Sequence, residues 1–344
     1  MILISILLLS GIGGAIIGSV ANEVLGSQIV FYFIGLISFF LFSRIDYRIY
    51  PGLWKLIYIS SLALLSLTLF IGLESRGATR WIPIGPFHLQ FSEIFKPLLL
   101  VAFSSFLVNQ QENNKFRNFI KAIVWISLPI FLIFRQPDLG STIIYAVIFL
   151  VLLLVSGVNI KYLLISILCL GLLAPVGWHF LADYQKSRIQ TFVSPHTDPL
   201  GASYNSIQAK ITIGSGMVFG KGLGRGSQSQ LSFLPERHTD FVFASFAEET
   251  GFIGSTALLC IYFLLIWRVF SIGSKCESDL AKLICAGVGS MLLAQVFINV
   301  GMNIGLLPVT GITLPLVSYG GSSIIATMIS LGIVENIASS ANLS

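Results

Sequence analysis

The chain has 344 residues, of which 55% are hydrophobic and only 10% are charged, and its formal net charge is +5. Soluble globular domains carry roughly 25% charged residues, so this composition excludes an ordinary soluble enzyme. Apolar runs of about 20 residues, long enough to cross a ~30 Å hydrocarbon layer as helices, fill most of the sequence. We therefore expect an all-α, polytopic integral membrane protein with little chain left for a soluble domain.

Ten predicted transmembrane helices follow one another along the chain, and the shorter ones must include flanking polar residues to cross the membrane. They cover residues 2–20, 29–42, 53–71, 94–108, 119–134, 141–156, 162–177, 241–270, 280–302 and 314–337. No repeat of fixed period and no low-complexity linker divides them. The sequence thus predicts a single transmembrane domain, residues 1–344, with one long loop, residues 178–239, between the seventh and eighth helices.

Lys and Arg in the short loops predict the orientation of the chain, because cytoplasmic loops carry an excess of positive charge. The short loops after the second, fourth, sixth and eighth helices hold ten of these residues, and the other short loops hold three, Arg76, Arg80 and Arg135. Both termini are therefore expected in the cytoplasm and residues 178–239 on the outside. The net positive charge reflects this topology, and we expect no nucleic-acid partner.

Glu93 and Lys96 lie three residues apart near the start of the fourth predicted helix, which places them on one helix face. Ionisable residues at membrane depth cost about 2.5 to 3.5 kcal/mol each to insert, so they are by default paired or functional. One interpretation is an internal ion pair that merely tolerates burial. The other is that the pair lines a wet cavity and positions a charged substrate or orients a catalytic acid.

The segment GSGMVFGKGLGRGSQ, residues 214–228, has the composition of a phosphate-binding loop but not its spacing. Ser215 stands at the first glycine position of that pattern, and Lys221 is followed by glycine instead of Ser or Thr. The plain interpretation is a flexible, turn-rich loop. Its glycines would nevertheless let backbone amides and the cations of Lys210, Lys221 and Arg225 approach a phosphate.

Three acids lie near the start of the eighth predicted helix: Asp240, Glu248 and Glu249. At about 100° per residue, Glu248 lies roughly 80° from Asp240 around a continuous helix, and Glu249 points to the opposite side. Asp240 is expected in the first turn, at the outer interface. It either caps the helix, with Thr239 as the N-cap residue, or is a carboxylate that accepts a substrate proton while the helix dipole and Arg237 keep it ionised.

Six motifs in order along most of the chain closely resemble the SEDS family of shape, elongation, division and sporulation proteins. They are RGATRWIPIG (76–85), QPDLGS (136–141), DYQKSRI (183–189), DPLGASYNSIQAKITIGSG (198–216), FLPERHTDF (233–241) and LLPVTGITLPLVSYGGSS (306–323). GKG and QSQL, within residues 220–231, also match. The family commonly has QPSE where this chain has Gln90, Phe91, Ser92 and Glu93, so the proline that would fix the entry to the fourth helix is missing.

The resemblance implies a ten-helix peptidoglycan glycosyltransferase of the bacterial cytoplasmic membrane, with its active site outside. Its substrate would be lipid II, the undecaprenyl-pyrophosphate-linked disaccharide peptide, and its partner a class B penicillin-binding protein. Arg237 and the DPLGA element are closer to the rod-shape branch than to the division branch, so the elongation machinery is also expected. By position the family's essential aspartate is Asp240, and the remaining candidates bind substrate: Glu93, Lys96, Arg80, Trp81, Lys210, Lys221, Arg225, Arg237 and His238.

Glycan polymerisation needs a base for the attacking sugar hydroxyl and cations for the departing diphosphate, and Asp240 can be the base. The sequence assigns no metal site, although Asp240 beside a pyrophosphate could share a divalent cation, Mg²⁺ or Mn²⁺. The alternatives are a flippase for the same lipid, a non-catalytic scaffold for wall enzymes, and a division-type member of the family. A transporter should concentrate charge near the membrane midplane, whereas the strongest cluster here is expected at the outer face.

Overall fold

The structure, a computed structural model, describes residues 1–75, 78–84, 87–110, 115–180, 183–194, 203–231 and 233–342. Its helices are α1 Ile2–Val20, α2 Asn22–Arg44, α3 Tyr50–Ile71, α4 Phe91–Val108, α5 Lys115–Arg135, α6 Leu139–Val155, α7 Ile160–Phe180, α8 Asp183–Val193, α9 Tyr204–Ser215, α10 Ser227–Gln230, α11 Val242–Lys275, α12 Asp279–Asn303 and α13 Gly321–Ser340. A 3-10 turn, Tyr47–Ile49, precedes α3, and three short strands lie between α3 and α4: β1 Leu73–Ser75, β2 Ala78–Ile84 and β3 Phe87–Leu89.

Each of the ten predicted spans overlaps a helix, which confirms the predicted class of polytopic helical membrane protein. Among the described residues, eight helices are long and apolar enough to cross a membrane, namely α1 to α5 and α11 to α13. The apolar helix α6 is shorter, with 17 residues, and α7, with 21 residues, covers the seventh predicted span. The long loop predicted after it contains three further helices, α8, α9 and α10.

The last predicted span starts too early, at residue 314, because the backbone before Gly321 is irregular and Leu316 has a φ of 65°. Polar side chains of membrane helices satisfy the carbonyl groups of this irregular segment. Tyr32 Oη donates to Leu316 O (2.8 Å), Tyr262 Oη to Pro315 O (2.6 Å) and Asn299 Nδ2 to Ile312 O (2.7 Å). Non-helical backbone at membrane depth requires such partners within the protein.

The apolar pattern of the sequence gives no indication of the small sheet between α3 and α4. β1 pairs with β2 and β2 pairs with β3, both antiparallel, and β2 contacts α3 and α4. The strands have only three to seven residues, so they give no periodic signal comparable to that of the apolar helices. The motif that contains Arg80 and Trp81 therefore forms an extended element that packs on membrane helices.

The chain divides into two compact units, each built from three segments. The first comprises Met1–Phe40, Ser187–Arg268 and Leu292–Ile329, and the second comprises Leu41–Lys186, Val269–Met291 and Ser330–Ser344. Asp240 and the Gly-rich loop belong to the first unit, and Glu93 and Lys96 belong to the second. The candidate site residues are therefore found in two separate settings.

Candidate active site

Asp240 lies in a turn whose backbone is held by donors from other parts of the first unit. The carbonyl of Asp240 accepts from Asn299 Nδ2 and Asn303 Nδ2, each at 3.1 Å. The two preceding carbonyls accept as well, His238 O from Tyr319 N (2.8 Å) and Thr239 O from Ser318 Oγ (2.7 Å). Three consecutive carbonyl groups are thus fixed by long-range contacts, so the position of the Asp240 side chain is set by the fold.

The expectation that Asp240 lies in the first turn of the helix was wrong, because α11 begins at Val242. Thr239 is not the N-cap residue either. Its Oγ1 donates to Glu236, at 2.9 Å to Oε2 and 3.3 Å to the carbonyl oxygen. The capping interpretation of these two residues is therefore not supported, and Asp240 occupies a constrained turn just before the helix.

The carboxylate of Asp240 lies beside Gly311, which has a φ of +77°. A Cβ atom at position 311 would be 3.5 Å from Asp240 Oδ2 and 3.9 Å from Arg188 Nη1. The guanidinium of Arg188, on α8, is therefore near the carboxylate of Asp240. Arg188 was not among the predicted site residues, although it lies in one of the six motifs, DYQKSRI. Spacing alone did not distinguish it, since α8 is far from Asp240 in the sequence.

Arg188 also lines a small cavity of about 50 Å³ in the same unit, together with polar side chains of α8 and α9 and the turn that contains Pro308. The other lining residues are Ser187, Thr191, Phe192, Ser206, Leu307 and Val309. A cation and several hydroxyl groups around one cavity form a set of hydrogen-bond donors suited to an anionic oxygen. The first unit thus combines a carboxylate that can take a proton with donors for negative charge.

The two residues before Thr239 make different contacts. Arg237 Nε donates to Val20 O, at the end of α1, at 2.8 Å, and Ser245 Oγ donates to Arg237 O at 3.2 Å. The His238 ring packs edge-to-face on Tyr319, with the ring centroids 5.7 Å apart. Both predicted substrate-binding residues therefore also anchor the turn that carries Asp240.

The prediction of one continuous helix over residues 241–270 was wrong at Gly251, whose φ of 69° and ψ of −165° break α11. The Gly-rich loop replaces the lost helical hydrogen bonds. Before the break, the carbonyl groups of Glu248 and Glu249 accept from Lys221 N and Gly222 N, both at 3.0 Å. After the break, Phe252 N and Ile253 N donate to Met217 O (2.9 Å) and Val218 O (3.2 Å).

Close packing explains why this loop is rich in glycine. A Cβ atom at Gly226 would lie 2.6 Å from Glu248 Oε2, and one at Gly251 would lie 2.6 Å from Val218 O. At Gly216 it would lie 2.9 Å from the Cα of Glu248. These distances leave no room for a side chain, so the segment interpreted as a flexible loop is a compact turn packed against the helix break.

Glu248 anchors this turn. Its fully buried carboxylate accepts from Lys221 Nζ (2.7 Å), Ser229 Oγ (2.7 Å), the backbone amides of Gln228 and Ser229 (both 3.0 Å) and Ser215 Oγ (3.2 Å). Lys221 Nζ also contacts Ser227 Oγ at 2.9 Å. A buried carboxylate needs this number of donors to offset its desolvation. The ammonium of Lys221, a predicted phosphate contact, is thus engaged within the protein.

Glu249 connects the same turn to α1. Its Oε1 accepts from Ser19 Oγ (2.5 Å) and from Gly224 N (3.2 Å), and Gln230 Nε2 donates to Ser19 O (2.8 Å). The two other predicted cations of this region, Lys210 and Arg225, are exposed. The four cations near Asp240 in the sequence therefore differ in their surroundings. Their positions in the sequence alone do not show which of them are exposed and which are paired within the protein.

In the second unit, Glu93 and Lys96 form an ion pair on α4. Only 1% of the Lys96 side chain is exposed, and Ser141 Oγ lies 3.4 Å from Glu93 Oε1. The expectation that the two residues share a helix face is confirmed, and of the two interpretations the ion pair is observed. Whether they contact substrate remains a prediction.

Asp138 is a second buried acid near this pair that the sequence analysis did not single out. It caps α6, accepting from Ser141 N at 3.0 Å, and its other oxygen accepts from Gln90 Nε2 (2.7 Å) and Ser92 Oγ (3.1 Å). The start of α4, which lacks the family's proline, is thereby held by Gln90 and Ser92. The sequence contained one indication of this role: in QPDLGS an acid directly precedes an apolar helix, which is typical of an N-cap residue.

Trp81 lies on β2, opposite Leu73 of β1, and is half-buried. Arg80 lies on the same strand, but its side chain is outside the described residues. Among the described residues, no three His, Cys, Asp or Glu side chains come together as a metal-binding group. Asp240 would offer a single carboxylate to a divalent cation shared with the diphosphate of the substrate.

The sequence profile of the FtsW/RodA/SpoVE family, described as cell cycle proteins, matches residues 1–343. The chain belongs to this family. It is 40% identical to the peptidoglycan glycosyltransferase MrdB of Escherichia coli K12 over 304 residues, 88% of this chain and 82% of the relative. It is 36% identical to the stage V sporulation protein E of Bacillus subtilis 168 over 314 residues, 90% of this chain and 85% of the relative.

Solved structures are similar over the whole chain. A chain from a structure described as the structural coordination of polymerization and crosslinking by a peptidoglycan synthase complex has 32% identity and a TM-score of 0.85. The match covers 100% of this chain and 98% of that one. The rod shape determining protein RodA of Thermus thermophilus has 30% identity and a TM-score of 0.74, covering 98% and 95%. The resemblance to the SEDS family is thereby confirmed, together with its helical membrane fold.

Proposed function

We propose that the protein is a peptidoglycan glycosyltransferase that polymerises lipid II, the undecaprenyl-pyrophosphate-linked disaccharide peptide, into glycan strands. Membership of the FtsW/RodA/SpoVE family and 40% identity to a peptidoglycan glycosyltransferase support the reaction class. The observation that carries the proposal is the Asp240 turn. Three consecutive carbonyl groups hold it in place, so a carboxylate is positioned at the end of a membrane helix beside a cationic side chain.

Asp240 is the general base of the proposed reaction. It removes the proton from the sugar hydroxyl of the acceptor while that oxygen forms a bond to the anomeric carbon of the donor. The bond between this carbon and the diphosphate oxygen breaks, and the lipid diphosphate leaves with the electron pair. A diphosphate is a good leaving group, so the second carboxylic acid that hydrolytic glycosidases use is not required.

Cations near Asp240 stabilise the negative charge that develops on the diphosphate. Arg188 is the first candidate, because its guanidinium lies beside Gly311 together with the carboxylate of Asp240. Of the predicted cations, Lys210 and Arg225 are exposed and able to reach a ligand, whereas Lys221 is paired with Glu248. Arg237 and His238 bind substrate while holding the turn. Arg80 and Trp81, on β2 of the second unit, are proposed as substrate contacts of that unit.

Glu93 and Lys96, in the second unit, are proposed as a separate pair of substrate contacts. The pair is nearly excluded from solvent, and the Oε2 atom of Glu93 has no hydrogen-bond partner among the described residues. A buried acceptor without a donor is costly in the absence of a ligand. This supports the interpretation that the pair binds a polar group of the substrate.

The protein is proposed to work in the bacterial cytoplasmic membrane with a class B penicillin-binding protein and the elongation machinery. Similarity to the rod shape determining protein RodA supports an elongation role over a division role. Similarity to a chain of a peptidoglycan synthase complex supports a crosslinking partner. Both termini are placed in the cytoplasm and residues 178–239 outside. A single cysteine at Arg225, in a background without native cysteines, should react with an impermeant thiol reagent on intact cells, and protection there would reverse the orientation.

The decisive test of the reaction is polymerisation of labelled lipid II by the purified protein, with and without a class B penicillin-binding protein. Asp240→Asn preserves size and hydrogen bonding but removes the base, so we expect polymer formation to fall by about 10² to 10⁴. Asp279→Asn is the matched control, because Asp279 is an exposed acid at the start of α12. Near-normal polymerisation by Asp240→Asn would reject Asp240 as the base, whereas a parent protein that makes no polymer would favour the flippase alternative.

A further inference from the structure

Three consecutive apolar residues of the Gly-rich loop are exposed. Met217 and Phe219 expose 80% and 81% of their surface, and Val218 between them is also exposed. Membrane helices expose apolar side chains to lipid along their length, but these three residues lie in irregular backbone outside a helix, so the exposure of this patch needs a separate explanation. The mechanism proposed above does not use these residues.

Helix α11 continues the patch. Phe252 exposes 71% of its surface, and its neighbour Ile253 is exposed as well. The backbone amides of these two residues donate to the carbonyl groups of Met217 and Val218, so the loop tip is joined directly to this face of the helix. Both helix residues lie within an apolar span long enough to cross a membrane.

The position of the patch along α11 indicates its depth. From Phe252 to the charged residue Arg268 the helix rises about 24 Å, less than the ~30 Å thickness of a hydrocarbon layer. With Arg268 at one boundary of the layer, Phe252 lies just inside the opposite boundary. The loop tip, bonded to Phe252 and Ile253, must lie at the same level.

Part of the backbone of the loop tip is hydrogen-bonded within the protein. Besides the carbonyl groups of Met217 and Val218, the Met217 amide donates to Gly214 O (3.3 Å), and Gly220 N donates to Gly216 O (2.8 Å). Irregular backbone is tolerated at membrane depth only when its polar groups have such partners. The packing of Gly216 and Gly251 further holds the turn against the helix.

We infer that Met217, Val218 and Phe219 form a wedge that inserts into the acyl chains of the membrane leaflet on the side of residues 178–239. Three exposed apolar side chains at the hydrocarbon boundary, continuous with the lipid-facing side of α11, have bilayer lipid as their natural contact. The wedge holds the Gly-rich loop at a fixed depth. Because Glu248 and Glu249 bind the same loop, it also determines the depth of the chain that leads to Asp240.

The test uses the full-length protein without its four native cysteines, reconstituted in phospholipid nanodiscs. A single cysteine replaces Val218 or Phe219 and carries an environment-sensitive fluorophore. Cysteine at Phe252, on the span, is the positive control, and cysteine at Arg225, a charged position of the same loop, is the negative control. The probes at 218 and 219 should lose most of their emission in brominated phospholipid, as the probe at 252 does, while the probe at 225 retains most of its emission.

Two results would overturn the inference. The first is quenching at 218 and 219 no greater than at 225, accompanied by equally fast reaction of the unlabelled cysteines with a water-soluble thiol reagent. The second is the same weak quenching together with protection from that reagent only when a class B penicillin-binding protein is added. That pattern would assign the patch to a protein partner instead of lipid.

Discussion

Each unit of the molecule contains a lysine–glutamate pair with a buried member, and the two pairs differ in how completely the carboxylate is hydrogen-bonded. In the first unit, both oxygens of the Glu248 carboxylate accept hydrogen bonds from the loop, including those from Lys221. In the second unit, Lys96 binds one oxygen of Glu93, and the other has no partner among the described residues. The same chemistry thus anchors a loop in one unit and retains an open acceptor in the other.

Sequence separation is the second difference. Glu93 and Lys96 are neighbours on one helix and would pair even in an isolated α4. Lys221 and Glu248 come from a loop and a helix, so their contact forms only when the loop docks at the break in α11. The Glu93–Lys96 pair can therefore bind a ligand without a change of fold, whereas the Lys221–Glu248 pair exists only when the loop is docked.

The largest expected effect comes from Lys221→Ala. The fully buried carboxylate of Glu248 would lose its cation, and we expect the free energy of unfolding to fall by about 3–5 kcal/mol. Thermal unfolding of the purified protein measures this loss. Adding Glu248→Gln to the variant removes the orphaned charge and should restore part of the stability. An unchanged unfolding temperature for Lys221→Ala would mean that the pair does not anchor the loop.

An intermediate effect, on activity instead of stability, is expected for Lys96→Ala. If Glu93 and Lys96 bind substrate, loss of a charge-assisted contact worth about 1.5–3 kcal/mol lowers the rate of polymerisation roughly 10- to 100-fold at equal protein abundance. Lys282→Ala is the matched control, because Lys282 pairs with Asp279 at the same spacing at the exposed start of α12. Such exposed pairs contribute about 0–1 kcal/mol. Equal activity of the Lys96 variant and the parent would show that the Glu93–Lys96 pair, like the Lys221–Glu248 pair, has only a structural role.

The smallest effects are expected at the exposed cations. Substitution of Lys210 or Arg225 by Gln should raise the lipid II concentration needed for half-maximal rate by less than about 10-fold, because solvent and salt screen exposed charges. Arg188→Gln should raise this concentration more than either of the other two substitutions, since Arg188 lies beside Asp240 and lines a cavity. The initial rate at varied lipid II is the measurement. An unchanged concentration dependence in all three variants would exclude these cations as diphosphate ligands.

The helices could be predicted because a bilayer imposes a minimum length of apolar chain, which leaves a strong local signal. Interruptions of that pattern could not be predicted equally well. Gly251 is an ordinary residue in an apolar helix until the backbone of the Gly-rich loop supplies donors and acceptors to the broken turn. Likewise, the apolar residues 314–320 appear helical in sequence, but the irregular segment's carbonyl groups bind side chains of α2, α11 and α12.

The sequence by itself determined the membrane class, the positions of the spans, the family and the choice of Asp240 as the candidate base. These conclusions rest on composition, on runs of adjacent residues and on short motifs, all of which are local. Only the tertiary structure decided which polar groups meet: Arg188 with the surroundings of Asp240, Lys221 with Glu248, and Asp138 with the start of α4. Such contacts join residues distant in the chain, and they form only when helices and loops pack closely enough for buried donors and acceptors to satisfy one another.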